Sequence, residues 1–179
     1  MSLPAPLRRH LLWVAACLWS GVAMAQPQAS ASAPPTLSSP IGKGPGYHSP
    51  LSPFKPLQEL EGVVPWRVLA SVTTRPVKGR LEPVFPDPVK ALNATRVKVQ
   101  GFMMPLDAGM KQRRFLLSSV PTTCQFCVPA GPEGLIEVRS KVPVKYGIEA
   151  FVMEGTLQVL QNDDMGLYYR LTEAAPVSP

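Results

Sequence analysis

Two segments of matched pattern constrain the fold of this chain more than any other feature. Residues 97–103 and 151–157 both alternate apolar with other side chains, and in each a Gln or Glu directly precedes a glycine, Gly101 or Gly155. Alternation with a period of two is typical of a half-buried strand. A glycine inside a strand usually marks a bulge or a sharp bend, which lets a small sheet close into a barrel. We therefore expect two long, glycine-bent strands that pair side by side in one closed sheet.

Further segments of the same character complete a predicted five-stranded barrel. Apart from residues 97–103, strands are predicted at residues 113–120, 135–140, 148–160 and 167–172. Residues 121–134, which are dense in Pro and Gly, are expected to form a loop. Five strands of which the first and the fourth are long and bent are typical of an OB-like barrel. The predicted fold class is therefore mainly β, with the barrel at residues 93–175.

Residues 57–92 are predicted to form a short, partly helical N-terminal cap. An OB barrel commonly closes one end with a helix between its third and fourth strands, but residues 141–147 are too short and too interrupted by proline to supply one. Short helical turns are compatible with residues 65–72, where a strand is equally possible, and with residues 86–92. We expect this cap, led by Trp66 and Leu69, to pack on the barrel and cover that end.

Residues 1–25 are predicted to be a secretory signal peptide. Arg8 and Arg9 form the positively charged region, and an apolar run follows at residues 11–22. Residues 23–25 provide the small side chains that signal peptidase recognises at its cleavage site. The run is too short for a comfortable membrane span, so no span is expected after cleavage. This pattern predicts a periplasmic protein. In a second interpretation, Cys17 ends a lipoprotein box and carries a lipid that tethers the chain to a membrane.

Residues 26–56 are predicted to be a disordered linker. They consist mainly of Ala, Ser, Pro and Gly with hardly a large apolar side chain, so they cannot bury enough surface to offset the entropy of ordering. His48 is the histidine that remains after cleavage of the signal, and it lies in this segment. We interpret it as a solvated loop residue.

The charge balance argues against a nucleic-acid partner. The formal net charge of +6 falls to about +4 once Arg8 and Arg9 are removed with the signal, and the basic residues are scattered among acids. The nearest candidates for a nucleic-acid surface are Phe102, Tyr168 and the neighbouring Arg113 and Arg114. We expect no nucleic-acid ligand.

One block of the chain resembles a known family. The block Gly101-Phe102-Met103-x-Pro105-Leu106, with Trp66-x-x-Leu69, the Phe85-Pro86 turn, Phe115-Leu116-Leu117 and Cys124, resembles the family catalogued as domain of unknown function 3299. The resemblance covers roughly residues 64–174. It implies an exported envelope protein without an established activity. Because some members are encoded beside ABC-type transporter subunits in metal-responsive neighbourhoods, it also implies an envelope protein partner such as those subunits.

The Cys124-x-x-Cys127 pair has three interpretations. In an oxidising compartment the first is a disulfide, which for so small a loop contributes roughly 2 kcal/mol of stability. The second is half of a metal site, because two thiolates at this spacing can share a zinc ion. The third is thiol–disulfide exchange, which usually requires a helix directly after the pair. No helical pattern follows Cys127, so the first interpretation is favoured.

A metal site at Cys124 and Cys127 lacks obvious further ligands. Only His48 and scattered carboxylates remain for zinc. Met103, Met104 and Met110 lie in the same stretch, and thioethers with thiolates would suit copper as Cu(I), although methionines at strand spacing are more often core residues.

The sequence contains no pattern that predicts an enzyme. Hydrolytic catalysis needs a nucleophile with a base, and no histidine is expected in the ordered part of the chain. We predict a non-catalytic periplasmic binding or adaptor protein without a cofactor, accessory to an envelope transport system, as the family resemblance implies. The alternative is a metal-binding or redox protein that acts through Cys124 and Cys127.

Overall fold

The computed structural model describes residues 46–178. The predicted signal peptide (residues 1–25), the alternative lipidation site Cys17 and the predicted linker up to residue 45 lie outside this part of the chain. The elements, in chain order, are α1 Trp66–Leu69, β1 Thr73–Val77, β2 Arg80–Val84, α2 Asp87–Lys90, β3 Arg96–Pro105, β4 Lys111–Ser118, a 3-10 turn Pro132–Gly134, β5 Leu135–Lys145, β6 Phe151–Val159 and β7 Tyr169–Val177. None of the helices in this part is long and apolar enough to cross a membrane.

Five strands close into a barrel in the order β3-β4-β5-β7-β6, with β6 returning to β3. All neighbours are antiparallel except β5 and β7, which run parallel. The inward-facing side chains form one hydrophobic core, which includes Val99, Phe115 and Leu171. This architecture confirms the predicted fold class, a mainly β chain with a five-stranded OB-like barrel.

The two glycine-bent segments pair with each other, as predicted. β3 and β6 are antiparallel, with Val97 opposite Gly155 and Gly101 opposite Phe151. The register of β6 against β7 shifts between Glu154 and Thr156, so Gly155 lies in a bulge. A β-carbon at Gly155 would lie 2.6 Å from the carbonyl oxygen of Thr172. The glycine is therefore required because β7 crosses closely at the bend.

The N-terminal cap packs on the barrel through a few fully buried side chains. Leu69 of α1, Val89 of α2 and Phe85 between β2 and α2 belong to the same core cluster as the barrel residues. Trp66 Nε1 donates a hydrogen bond to the Gln100 carbonyl oxygen at 2.7 Å. The predicted role of Trp66 and Leu69 as anchors of a partly helical cap agrees with these contacts.

The hairpin of β1 and β2 within the cap was not predicted. Its two-residue turn has positive φ angles at Lys78 (49°) and Gly79 (78°), which match the twist of antiparallel strands. Pro76 and Pro83 argue against strands in the sequence. Along each strand of an antiparallel pair, successive N–H groups point alternately towards the partner strand and away from it. Pro76 and Pro83 both occupy positions where an N–H would point away from the partner. The hairpin therefore forms without losing a ladder hydrogen bond.

The first described residues do not behave as the end of a free linker. The linker was predicted to extend to residue 56, but the Gly46 N–H donates to the Pro129 carbonyl oxygen and the Val128 N–H donates to that of Tyr47. The Phe54 ring packs edge-on against Phe102, with 6.3 Å between ring centroids. A few aromatic and backbone groups therefore anchor a segment whose composition is otherwise rich in Pro and Ser.

We expect Tyr169→Phe to lower the free energy of unfolding by about 1–3 kcal/mol. The buried Tyr169 hydroxyl donates a hydrogen bond of 2.7 Å to the Leu69 carbonyl oxygen, which links the barrel to the cap. Burial, together with the charge of Glu133, raises the pKa of Tyr169, so the hydroxyl remains a donor. Denaturant unfolding measures the loss. Tyr47→Phe serves as the control, and an equal loss in both variants contradicts the prediction.

Candidate functional site

The candidate site is a cleft of about 430 Å³ between the N-terminal segment, the cap and the loop that follows β4. The N-terminal segment contributes residues from Gly46 to Leu57, α1 contributes Trp66, Arg67 and Ala70, and the loop contributes residues from Ser119 to Gly134. The N-terminal wall is held against the loop by the backbone hydrogen bonds between residues 46–47 and 128–129. The cleft is therefore built from parts that are distant in sequence.

His48 lies in the wall of this cleft and is partly buried, which corrects its interpretation as a solvated residue. Its Nε2 lies 3.0 Å from the Phe54 carbonyl oxygen. Because a carbonyl oxygen can only accept, Nε2 carries a proton and donates to it. Nδ1 is buried and has no hydrogen-bond partner within residues 46–178. The imidazole therefore has one buried, unpaired nitrogen behind the wall of the cleft.

A smaller cleft of about 150 Å³ lies next to the first and shares Leu57, Trp66 and Arg67 with it. Gln100 lines this second cleft, and its Oε1 is another buried polar atom without a partner among the described residues. Trp66 is fixed between the two clefts because its indole N–H is bound to the backbone of β3. The walls of the paired clefts therefore cover two unpaired polar atoms around one fixed aromatic ring.

The walls of the larger cleft carry opposite charges and a hydroxyl. Arg67 lies on the cap side and Glu133 on the loop side, and both border the cleft together with Ser119. Arg67 is exposed and forms an ion pair with Glu59 at 3.2 Å. These groups can hydrogen-bond a small polar or zwitterionic group, and the Trp66 ring offers an apolar surface beside them.

The cysteine pair lies in the loop that borders the cleft. The Cys124 and Cys127 sulfur atoms are at disulfide bonding distance, with their Cα atoms 5.4 Å apart. Val128, which directly follows the pair, donates its N–H to the Tyr47 carbonyl oxygen at 3.0 Å. The pair therefore constrains a loop that also positions the N-terminal wall of the cleft.

The predicted metal ligands are not gathered into a site. Within residues 46–178, no three His, Cys, Asp or Glu side chains lie close enough together to hold a metal ion. Met103 is buried in the hydrophobic core, whereas Met110 is exposed in the loop after β3. The two methionines therefore have different surroundings, and Met103 has the core position that strand spacing favours.

The residues considered for nucleic-acid binding do not form a stacking surface. Phe102 is buried against Phe54, and Tyr168 packs edge-on against Phe85 with 5.8 Å between ring centroids. Arg114 is bound to Glu137 through its Nε at 2.7 Å. Exposed aromatic side chains, which single-stranded nucleic acids require for stacking, are therefore not supplied by these candidates.

Glu137 is a buried acidic residue that sequence reasoning missed. It lies in β5, its side chain is 1% exposed, and it forms ion pairs with Arg114, Arg139 and Arg170. Arg170 also binds Asp163 at 2.9 Å. Burial alone would raise the pKa of Glu137, but hydrogen bonds from Arg114 and Arg170 and the charges of Arg170 and Arg139 lower it to about 2. A glutamate flanked by outward-facing arginines on three strands was not recognisable before the register was known.

Comparison with known proteins identifies a family without an assigned activity. The family model DUF3299, described as a protein of unknown function, matches residues 82–174, just over half of the chain. The crystal structure of a DUF3299 family protein from Pseudomonas aeruginosa PAO1 at 2.45 Å resolution is similar, with 22% sequence identity and a TM-score of 0.41. That similarity covers 50% of this chain and 66% of the other, so the chain spans slightly less than two thirds of that protein. No curated protein matches this chain.

Proposed function

We propose that this chain, which belongs to the DUF3299 family of proteins of unknown function, is an exported, non-catalytic adaptor that binds an extended segment of an envelope protein. The observation that carries the proposal is the pair of clefts around Trp66. His48 Nδ1 and Gln100 Oε1 are both buried polar atoms without a partner among the described residues. Both atoms are covered by protein, so they mark unpaired polar groups behind the cleft walls, and the clefts themselves are the surface to which a peptide would bind.

The charges of the larger cleft are compatible with the same ligand class. Arg67 and Glu133 on opposite walls, with the Ser119 hydroxyl, suit the alternating donors and acceptors of a peptide backbone. The fixed Trp66 ring provides an apolar surface for one side chain of the segment. As the partner we propose a subunit of an ABC-type envelope transporter, and this choice rests on the family resemblance.

The proposed periplasmic location rests on the sequence of residues 1–25 and on the cysteine pair. A signal-like segment predicts export. The sulfur atoms of Cys124 and Cys127 lie at disulfide bonding distance, and disulfides persist mainly in oxidising compartments such as the periplasm. Lipid attachment at Cys17 would keep the same compartment and add a membrane tether.

A cleft-filling variant tests the proposal. Ala70 is the exposed C-cap residue of α1 and borders the larger cleft, so Ala70→Trp is expected to obstruct it without disturbing the core. Ala91 is the equivalent exposed C-cap residue of α2 and does not border either cleft around Trp66, which makes Ala91→Trp a matched control. We expect crosslinking in native membranes to recover a transporter subunit, identified by mass spectrometry, with the wild type and with Ala91→Trp.

Recovery of that subunit is expected to fall at least about tenfold with Ala70→Trp, which corresponds to a loss of about 1.4 kcal/mol or more in binding. Equal recovery with both tryptophan variants would exclude the cleft as the docking site. Failure of the wild type to recover any transporter subunit would refute the adaptor role.

The second candidate function acts through Cys124 and Cys127. It is favoured by the position of the pair in the loop that borders the cleft. Free-thiol counting and metal analysis on protein isolated from the periplasm separate the two functions. One zinc or copper ion per chain that is lost in the double serine variant would support the second candidate, whereas an oxidised, metal-free pair supports a structural role.

A further inference from the structure

Strands β4 and β5 concentrate the positive charge of the chain on one part of the barrel. They hold six basic residues and one acidic residue, Glu137. Six minus one gives +5, compared with a formal net charge of +6 for the whole chain. Because Glu137 is buried, the solvent-facing charge of these strands is carried by Lys and Arg alone. The even distribution of charge along the sequence therefore becomes a segregated distribution in the fold.

One end of this basic region also exposes aliphatic side chains. Lys111 of β4 is paired with Lys145 of β5, and the Tyr146 N–H donates to the Met110 carbonyl oxygen at 2.8 Å, so the loops after β3 and β5 meet here. We name residues 106–111 and 141–148 the basic tip. Its exposed apolar residues include Met110 (59% exposed) and Ile148 (52% exposed), together with Leu106 and Val142.

The strand pairing is interrupted beside the basic tip. The register of β4 against β5 shifts between Gln112 and Arg114, and the β5 residues between Arg139 and Val144 have no partner in β4. Lys141 and Val142 lie in this excursion, and Arg113 binds the Lys141 carbonyl oxygen through Nη1. The Arg113 side chain thus holds the backbone at Lys141, where the strand is not paired with β4. Lys141 and the exposed Val142 are therefore available at a fixed part of the chain.

The composition of the basic tip favours a lipid surface over a protein or a nucleic acid. Protein interfaces are enriched in Arg and aromatic residues and depleted in Lys. Surfaces that bind single-stranded nucleic acids use exposed aromatic rings. The tip instead combines Lys111, Lys141 and Lys145 with aliphatic side chains, which is the combination that binds the boundary of an anionic bilayer.

We propose that the basic tip docks on the surface of a bilayer that contains anionic phospholipids. Met110, Ile148 and their aliphatic neighbours insert at the headgroup boundary, while the lysines bind lipid phosphates. Asp107 and Glu149 also lie at this end, and Lys141 has an exposed ion pair of 3.2 Å with Glu173. Within the basic tip, three lysines and one carboxylate, Asp107, give a net charge of +2, and adding the neighbouring Arg113, Glu149 and Glu173 leaves +1. This inference does not depend on the cleft or on its proposed ligand.

Vesicle co-sedimentation of the signal-processed chain tests the inference. We expect binding to vesicles of equimolar phosphatidylcholine and phosphatidylglycerol, and at most weak binding to phosphatidylcholine alone. The triple variant Lys111→Gln, Lys141→Gln, Lys145→Gln is expected to bind on the order of 100-fold more weakly. The matched control, Lys55→Gln, Lys78→Gln, Lys90→Gln, removes the same charge from exposed positions elsewhere and is expected to bind as the wild type does.

A second pair of variants separates a lipid surface from other anions. Met110→Ser with Ile148→Ser keeps every charge and is expected to weaken vesicle binding about tenfold or more through lost apolar insertion. If this variant binds fully and the wild type binds soluble polyglutamate as tightly as vesicles, the tip is a general anion site and the lipid assignment is wrong. Absence of wild-type binding, or an equal loss in the control triple variant, would also overturn it.

Discussion

Glu137→Gln is expected to lower the free energy of unfolding by about 3 kcal/mol at neutral pH, near the lower end of the cost of breaking a buried ion pair. The Glu137 carboxylate accepts hydrogen bonds from Arg114 at 2.7 Å and from Arg139 at 3.4 Å, and it also binds Arg170. Arg114 and Arg139 lie directly opposite each other on β4 and β5, where like charges repel. The variant removes the charge that holds them together. The arginines are half exposed, so water limits the loss.

The same residue is expected to make the protein sensitive to acid. The pKa of Glu137 is lowered from its ordinary value of 4.5 to about 2, since the arginine contacts outweigh burial. A folded-state pKa below the unfolded value contributes stability at higher pH, and that contribution is lost as the pH falls from about 4.5 towards 2. Denaturant unfolding at pH 7 and at pH 3 should therefore show a larger loss for the wild type than for Glu137→Gln.

Glu82→Gln is the control for this prediction. Glu82 has a single, more exposed ion pair with Arg75 at 3.7 Å, and surface pairs of this kind contribute little. We expect Glu82→Gln to change stability by less than about 1 kcal/mol at pH 7. Parallel losses of wild type and Glu137→Gln between pH 7 and pH 3 would show that Glu137 does not provide the acid-sensitive contribution.

Gly155→Ala is expected to cost about 3 kcal/mol, at the upper end of the range for overpacking. The added β-carbon would lie 2.6 Å from the Thr172 carbonyl oxygen and 2.9 Å from Leu171 Cγ. The backbone atom cannot move unless β6 and β7 separate, which would break their ladder beside the bulge. Thermal and denaturant unfolding measure the loss, and soluble expression at reduced temperature keeps a strongly destabilised variant measurable.

Gly147→Ala provides the matched control for the glycine prediction. A β-carbon at Gly147 would have no atom within 4 Å, and Gly147 does not have a left-handed backbone conformation. We expect this variant to be neutral or slightly stabilising, because alanine reduces the entropy of the unfolded chain. If Gly155→Ala is as stable as Gly147→Ala, the bend in β6 does not depend on the absence of a side chain.

The barrel strands were predictable because their signals are local. The alternation of residues 97–103 and 151–157 and the positions of Gly101 and Gly155 each lie within a few residues, and the pairing of β3 with β6 confirms them. The ends of strands were less predictable. β5 resumes its pairing with β4 at Val144 and Lys145 beyond a stretch without partners in β4, and β7 extends to Val177 because it pairs with Val152 of β6, so tertiary pairing and not local propensity sets these ends.

The candidate site was not predictable because its parts are distant in sequence. His48 was assigned to a disordered linker, but backbone hydrogen bonds to residues 128–129 place its segment in the wall of the cleft. In the sequence, Glu137 lies between the apolar Ile136 and Val138, a pattern found in any half-buried strand. Arginines of β4 and β7 come next to it only because both strands pair with β5 in the barrel.

By itself, the sequence determined the mainly β class, the glycine-bent strands and the position of the Cys124–Cys127 pair. Each depends on periodicity or spacing within one short segment. Only the tertiary structure decided the clefts around Trp66, the burial of Glu137 and the concentration of charge at the basic tip. These features arise because closure of the barrel brings side chains from separate strands within a few ångströms of one another, and no local pattern encodes that distance.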